Sequence, residues 1–259
     1  MLGNVVSSHH ATPLLEVLDI TKSFGAVRAL KGITFEIERG EVVALVGDNG
    51  AGKSTLVKIL SGVYQASSGS FLLEGTHCRF HTPAEALTSG IETVYQDLAL
   101  IEELDVADNV YLGRETTRGG SLGRVLGILD RPQMRRETTQ ALGALHIKIP
   151  APTLSVRKMS GGQRQAVAIG RAITWGRKLL ILDEPTAALG VEETEQVLGL
   201  LEQLRDTRNM TFLVISHNMQ DVYRIADRIV VLRQGNHVAT LTKKNTSPQE
   251  IVEYITGAL

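Results

Sequence analysis

The stretch VVALVGDNGAGKSTLVKIL, beginning at Val42, constrains this 259-residue chain more than any other. Val42 to Val46 are five apolar residues in a row, the pattern of a strand buried on both faces in a helix-covered parallel sheet. At Gly47 the strand gives way to GDNGAGKS, a match to G-x-x-x-x-G-K-[ST], and a helical apolar pattern follows. Glycines there allow successive backbone N–H groups to converge without Cβ obstruction, and the next helix presents the positive end of its dipole. The stretch predicts a phosphate-cradling loop of Gly47, Asp48, Asn49, Gly50, Ala51, Gly52, Lys53, Ser54 and Thr55. In it Lys53 reaches the terminal phosphates and Ser54 serves as a magnesium ligand.

The remaining periodicity predicts an α/β core around that strand. Strand-like runs occur at Leu14–Ile20, Ile33–Ile37, Phe71–Glu74 and Ile91–Tyr95. Later ones, Leu179–Leu182, Phe212–Ile215 and Ile229–Leu232, are short, almost wholly apolar and separated by helical stretches, as in buried parallel strands. Val191–Arg205 carries Val197, Leu200, Leu201 and Leu204 on one helical stripe, and Met219–Ala226 also reads as helix. Asp97–Ser155 is richer in Arg, Thr and Gly and predicts a mostly helical insertion. Gln234-Gly235-Asn236 predicts a hairpin turn, and Pro248 starts a last short helix to Ile255.

Composition excludes several classes. With 27 basic and 28 acidic residues the formal charge is −1, so no global field draws the chain to nucleic acid or lipid. The longest apolar run is five residues, where a membrane-spanning helix needs about 20. The opening MLGNVVSSHHATP lacks the basic start and apolar stretch of a secretory signal, and residues 1–13 read as a flexible start. Cys78 is the single cysteine, consistent with a reducing compartment. His77 and His81 flank it, but without the paired Cys-x-x-Cys spacing of a zinc site.

Two further stretches carry chemistry. KLLILDEPTA ends an apolar strand in two acids, expected beside the phosphate loop: Asp183 to hold magnesium through water and Glu184 to orient and deprotonate an attacking water. Alone, such a pair is an ordinary solvated strand end. KMSGGQRQAVAIGRA places Ser160, Gly161, Gly162 and Gln163 at the start of a helix with Ala166, Ile169 and Ile173 on one face, a second set of N–H donors for an anion.

Taken in order, these motifs resemble the ATP-binding cassette (ABC) family, and the resemblance covers nearly the whole chain. GDNGAGKST corresponds to its Walker A motif, Gln96 after IETVY to its Q-loop, MSGGQ to its signature, LLILDE to its Walker B motif, and His217 after FLVIS to its switch histidine. Phe24, in TKSFGAV, lies where the family places an aromatic that stacks on adenine; the alternative is a core phenylalanine. The resemblance implies a P-loop NTPase fold with a RecA-like parallel-sheet core, an N-terminal antiparallel β subdomain and an inserted helical subdomain. It implies one domain over residues 1–259, with the helical subdomain over 97–176 including the signature.

It further implies ATP hydrolysis with magnesium, Lys53, Gln96, Glu184 and His217 being catalytic and Ser54, Gln96 and Asp183 serving the metal. Two chains would close head to tail, so that Ser160–Gln163 of one meets the nucleotide held by the other. Two departures stand out: Met159 replaces the common leucine before Ser160, and Gly190 replaces the usual aspartate after Ala187-Ala188-Leu189, which leaves coupling between paired sites open. The wording GDNGAGKSTLVKILSGVYQ and DEPTAALG is similar to subunits energising monosaccharide uptake in bacteria. That implies a membrane permease, a periplasmic sugar-binding protein, no nucleic acid, and a place on the cytoplasmic face of the inner membrane. A soluble non-transport member, such as an iron–sulfur assembly ATPase, is the alternative.

Overall fold

The expected strand before the phosphate loop is the centre of the molecule in a computed structural model, which describes residues 12–119, 125–176 and 178–258. Strands β1 (Leu15–Phe24) and β2 (Val27–Ile37) pair antiparallel and precede β3 (Val42–Val46). The strands β4 (Ser68–Leu73) and β5 (Thr76–Cys78) complete one sheet of order β2-β1-β4-β5. The second sheet contains β3, β6 (Ile91–Val94), β7 (Leu179–Asp183), β8 (Thr211–Ile215), β9 (Arg228–Arg233) and β10 (Asn236–Thr242), in the order β10-β9-β3-β8-β7-β6. Only β10 runs antiparallel, returning along β9 through the expected Gln234-Gly235 turn.

Helices cover this second sheet: α1 (Lys53–Leu60), α2 (Pro83–Ser89), α3 (Val106–Val110), α4 (Arg131–Ala144), α5 (Gly161–Trp175), α6 (Val191–Arg208), α7 (Met219–Ile225) and α8 (Pro248–Thr256). Among the described residues no helix is long and apolar enough to cross a membrane. Caps written in the sequence fix several starts. Thr82, Asp130 and Ser247 each accept the N–H of the residue three further on, just ahead of Pro83, Pro132 and Pro248.

Why the central strands read as unbroken apolar runs is plain from their surroundings. Val43 and Leu45 of β3, Leu213 and Ile215 of β8, and Leu179 and Ile181 of β7 enter the core shared with α1 and the antiparallel sheet. Phe212, Val214, Leu180 and Leu182, alternating with them, enter the core under α4, α5 and α6. Both faces are dry, so period-two polarity is absent. Wholly buried Phe212 contributes about 2 to 3 kcal/mol relative to an exposed ring.

The structure corrects the reading in several places. Thr76–Cys78 is a short edge strand and α2 a helix, neither of which was foreseen. On α6 the buried stripe is Val197, Leu198, Leu201 and Leu204, with Leu200 at its margin. Helix α5 buries residues nearly all round, including Val167, Ala168 and Ala172, because helices and sheet enclose it from several sides. The flexible start expected over residues 1–13 lies outside the described residues except for Thr12 and Pro13.

One titratable group in this frame is costly. Glu92 on β6 is largely buried, with Arg114 at 3.6 Å, and burial raises its carboxyl from 4.5 to about 7 despite the opposing fields of Arg114 and Arg171. A carboxyl with a raised folded-state pKa favours the folded state when protonated, so its stabilising effect is complete below about pH 4.5 and lost as the pH climbs through 7. Replacing Glu92 by Gln is therefore expected to flatten the decline in stability between pH 5 and 7.5, with a difference of roughly 2 to 3 kcal/mol across that window. Urea unfolding midpoints of the two chains at four pH values measure it; parallel curves would contradict the assignment.

Candidate functional site

Loops at the carboxyl ends of β3, β7 and β8 carry most of the expected residues to one side of the sheet. The phosphate loop is shaped by close backbone approach. Gly47 has φ 149°, and a Cβ there would lie 2.1 Å from the Leu232 carbonyl oxygen. At Gly52 (φ 105°) it would lie 2.6 Å from Leu30 Cδ2 and 2.9 Å from the Ala29 carbonyl oxygen. Either side chain would displace β9 or β2, so glycine is required at both positions. The Gly235 N–H donates to the Ala51 carbonyl at 3.1 Å, which ties the loop to the β9–β10 turn.

Lys53, the first residue of α1, curls back over this loop, its ammonium donating to the carbonyls of Gly47 at 2.6 Å and Asp48 at 3.1 Å. Burial lowers its pKa, against the raising fields of Glu184, Asp48 and Asp183. The lysine is thus held at the mouth of the loop within reach of the acids.

Those acids do not stand on the strand next to β3. The sheet order puts β8 between β3 and β7, so the acids meet Lys53 of the loop from one strand away. Asp183 closes β7, and burial raises its carboxyl, as does the neighbouring Glu184 charge, against Lys53 and Lys58. Glu184 takes a left-handed backbone conformation (φ 54°) and donates its N–H to Ile215 of β8 at 2.9 Å. That bend sends its carboxylate across β8, where Oε2 lies 2.9 Å from Nδ1 of His217; the glutamate side chain is 16% exposed and the histidine 74%.

The loop carrying His217 is braced. Asn218 caps α7 by accepting the N–H groups of Gln220 and Asp221. The Thr186 hydroxyl, three residues after Asp183, donates to Asp221 at 2.6 Å, and both groups are buried. This bond joins the glutamate loop to the histidine loop, and no motif in the sequence announced it. The Asp183 carboxyl stays raised although Lys53 and Lys58 oppose it, so these acids gain from a further positive charge. The oxygens of Ser54 and Asp183 fit a hard divalent cation that takes its other ligands from water and phosphate.

Gln96 follows β6 and is exposed. Its loop is anchored on both sides. Tyr95 donates its hydroxyl to Ser61 Oγ just after α1 at 3.1 Å, and the Arg171 guanidinium on α5 donates to the carbonyls of Leu98 and Ala99 at 3.1 and 2.8 Å. Leu98 and Ala99 both have positive φ, 60° and 47°, so the loop turns back there. Sequence reasoning missed Arg171 and Tyr95, whose roles depend on contacts distant in the chain.

Phe24, at the end of β1, is 44% exposed, so the core alternative for its ring does not hold. The ring stands edge-on to Tyr64 with centroids 5.3 Å apart and has the Lys22 ammonium 5.0 Å from its centroid, a free aromatic face braced from behind.

Ser160 caps α5 in a reciprocal box: it accepts the Gln163 N–H at 3.3 Å while the Gln163 side chain accepts the Ser160 N–H at 3.1 Å. Met159 before it is buried, so its exchange for leucine is a swap within an apolar core. Gly161 and Gly162 lie against Leu189 and Glu193. Among the described residues no hydrogen bond or ion pair joins Ser160–Gln163 to the phosphate loop, Asp183, Glu184 or His217. The phosphate loop and the Ser160–Gln163 turn are thus separate elements of one chain.

Comparison with known proteins agrees with this arrangement. The profile of the family described as ABC transporter matches residues 30–187. The xylose/arabinose import ATP-binding protein XylG of Sulfolobus acidocaldarius is 45% identical over 244 residues, 94% of each chain. The fructose import ATP-binding protein FrcA of Rhizobium meliloti is 42% identical over 247 residues, 95% of each. The ribose import ATP-binding protein RbsA of Yersinia pestis is 41% identical over 95% of this chain, which spans 46% of that longer protein. Among solved structures, the ADP conformation of MJ1267, an ATP-binding cassette of an ABC transporter, superposes with a TM-score of 0.75 at 25% identity, covering 94% of this chain and 95% of that one. With the phosphate loop, acidic strand end, histidine and serine–glycine helix start all in place, the chain belongs to the ABC transporter family as an ATP-hydrolysing cassette.

Proposed function

We propose that this cassette energises uptake of a monosaccharide through a separate membrane permease. The observation that carries the catalytic part is the Glu184–His217 pair across β8 from the phosphate loop. The identity of about 40 to 45% to proteins named for xylose/arabinose, fructose and ribose import supports the sugar.

In this reading Phe24 stacks on adenine, and the N–H groups of Gly47–Thr55 enclose the phosphates. Lys53 exchanges its carbonyl partners for phosphate oxygens. Ser54, Asp183 and Gln96 would hold the magnesium ion, which would offset the charge of the phosphates. Glu184 orients a water and takes its proton; His217 fixes the Glu184 carboxylate through Nδ1 and turns its other ring nitrogen toward the γ-phosphate.

The separation of the two anion elements supports a pair of chains closing head to tail, each offering Ser160, Gly161, Gly162 and Gln163 to the partner's nucleotide. Bound ATP favours the closed pair because it adds contacts that the open one lacks. Hydrolysis removes the bridge and the pair parts. The region 97–176 acts as a helical subdomain; between it and the Gln96 loop a short cytoplasmic helix of the permease docks, and Arg171 ties that loop to the signature helix. The cassette then sits on the cytoplasmic face of the inner membrane, and a periplasmic binding protein delivers the sugar from the far side.

Replacing Glu184 by Gln is expected to lower phosphate release by about a hundred-fold or more, the usual scale of a lost general base. The same chain with ATP and magnesium is expected to elute from gel filtration as a dimer. Equal release rates would remove the base from Glu184, and monomer at saturating ATP would remove the paired arrangement. Thr186→Val leaves Asp221 buried without its donor and slackens the link between the two loops. Turnover is expected to fall about ten-fold with ATP affinity unchanged, as read by steady-state kinetics beside equilibrium nucleotide binding; a matching loss of affinity would assign the bond to general stability.

A further inference from the structure

The first turn of α6 places a carboxylate at the signature. Gly190 caps this helix, and Glu193, three residues on, accepts the Gly190 N–H on Oε2 at 3.3 Å, one half of an ordinary capping box. The same side chain lies along Gly161 and Gly162. A Cβ on Gly161 would stand 3.5 and 3.8 Å from the two Glu193 oxygens, and one on Gly162 would stand 3.0 Å from Glu193 Cβ. The two glycines make the room that this side chain occupies. The Gly162 N–H and the Ser160 hydroxyl, then the Gly190 N–H and the Arg164 charge, hold the Glu193 carboxyl below the usual glutamate range, so it is ionised at neutral pH.

The donors around Glu193 are those that the paired reading assigns to the partner's nucleotide. A carboxylate lying against Gly161 and Gly162 and a γ-phosphate seated on the same turn repel at short range. We propose that Glu193 is an internal anion that lies against the serine–glycine clamp in the open chain and opposes the arrival of the partner's γ-phosphate there, setting the ATP concentration at which two chains close. The proposal rests on the paired reading above and adds to it a residue that governs how readily the pair forms. Glu193 stands beside the clamp while the chains are apart, gives way as the γ-phosphate arrives, and returns when hydrolysis removes that phosphate.

Glutamine at the same position completes a capping box as glutamate does, so Glu193→Gln removes the charge and keeps the cap. In the Glu184→Gln background, the dimer fraction is measured by sedimentation velocity against ATP concentration at fixed magnesium and fixed chain concentration. Glu193→Gln and Glu193→Ala are each expected to lower the ATP midpoint by about ten-fold. ADP affinity, measured at a chain concentration where only monomer exists, is expected to stay unchanged. An unaltered midpoint in Glu193→Gln overturns the proposal, and so does a pattern in which Glu193→Ala only melts earlier, since a cap alone accounts for that. A Glu184→Gln chain that binds ATP but never dimerises, with or without Glu193, overturns the paired reading and this one with it.

Discussion

Backbone crowding around the phosphate loop is the constraint on which the remaining structure depends. At Gly47 the loop passes against the Leu232 carbonyl of β9, and at Gly52 against Ala29 and Leu30 of β2, leaving no room for a Cβ at either point. The loop is therefore wedged between the two sheets, and its N–H groups point where the sheets direct them. The order β10-β9-β3-β8-β7-β6 follows from the same requirement. The β9–β10 turn buttresses the loop from one side, while β8 and β7 bring histidine and carboxylates from the other.

On this scaffold, charge is deliberately unbalanced. Burial and the Glu184 charge raise the Asp183 carboxyl, and Lys53 and Lys58 offset only part of it, Lys53 while bonded to carbonyls of its own loop. Such a site gains most from a ligand that brings both phosphate oxygens for the lysine and a cation for the acids. The Glu184 backbone bend and the buried Thr186–Asp221 bond hold the Glu184–His217 pair in place before any ligand arrives.

Much of this was legible in the chain. Val42–Val46 and Leu179–Leu182 read correctly as buried strands because burial on both faces leaves an unbroken apolar run. Local punctuation marked Pro248 as a helix start, whereas Pro83 and Pro132 became helix starts only with the caps before them seen bonded. Short edge elements such as Thr76–Cys78 stayed hidden because their pairing with β4 is a tertiary event. Motif residues announced Lys53, Glu184 and His217, but not Arg171, Tyr95, Asp221 or Glu193. Those four act through partners that lie up to 73 positions away and that only the folded chain brings near. The insertion of β8 between the loop strand and the acidic strand was likewise invisible, since strand order is not written in local periodicity.

The central proposal concerns incompleteness: the phosphate loop and the Ser160–Gln163 turn are not bonded to each other in one chain, and in the proposed reading each meets its counterpart in a second copy. A crystal structure of the Glu184→Gln chain with ATP and magnesium tests this most directly. The account predicts two copies with each γ-phosphate held by Lys53 of one and contacted by Ser160 and Gly162 of the other. A γ-phosphate enclosed by residues of a single chain, with Ser160 of every copy remote from it, would contradict the account.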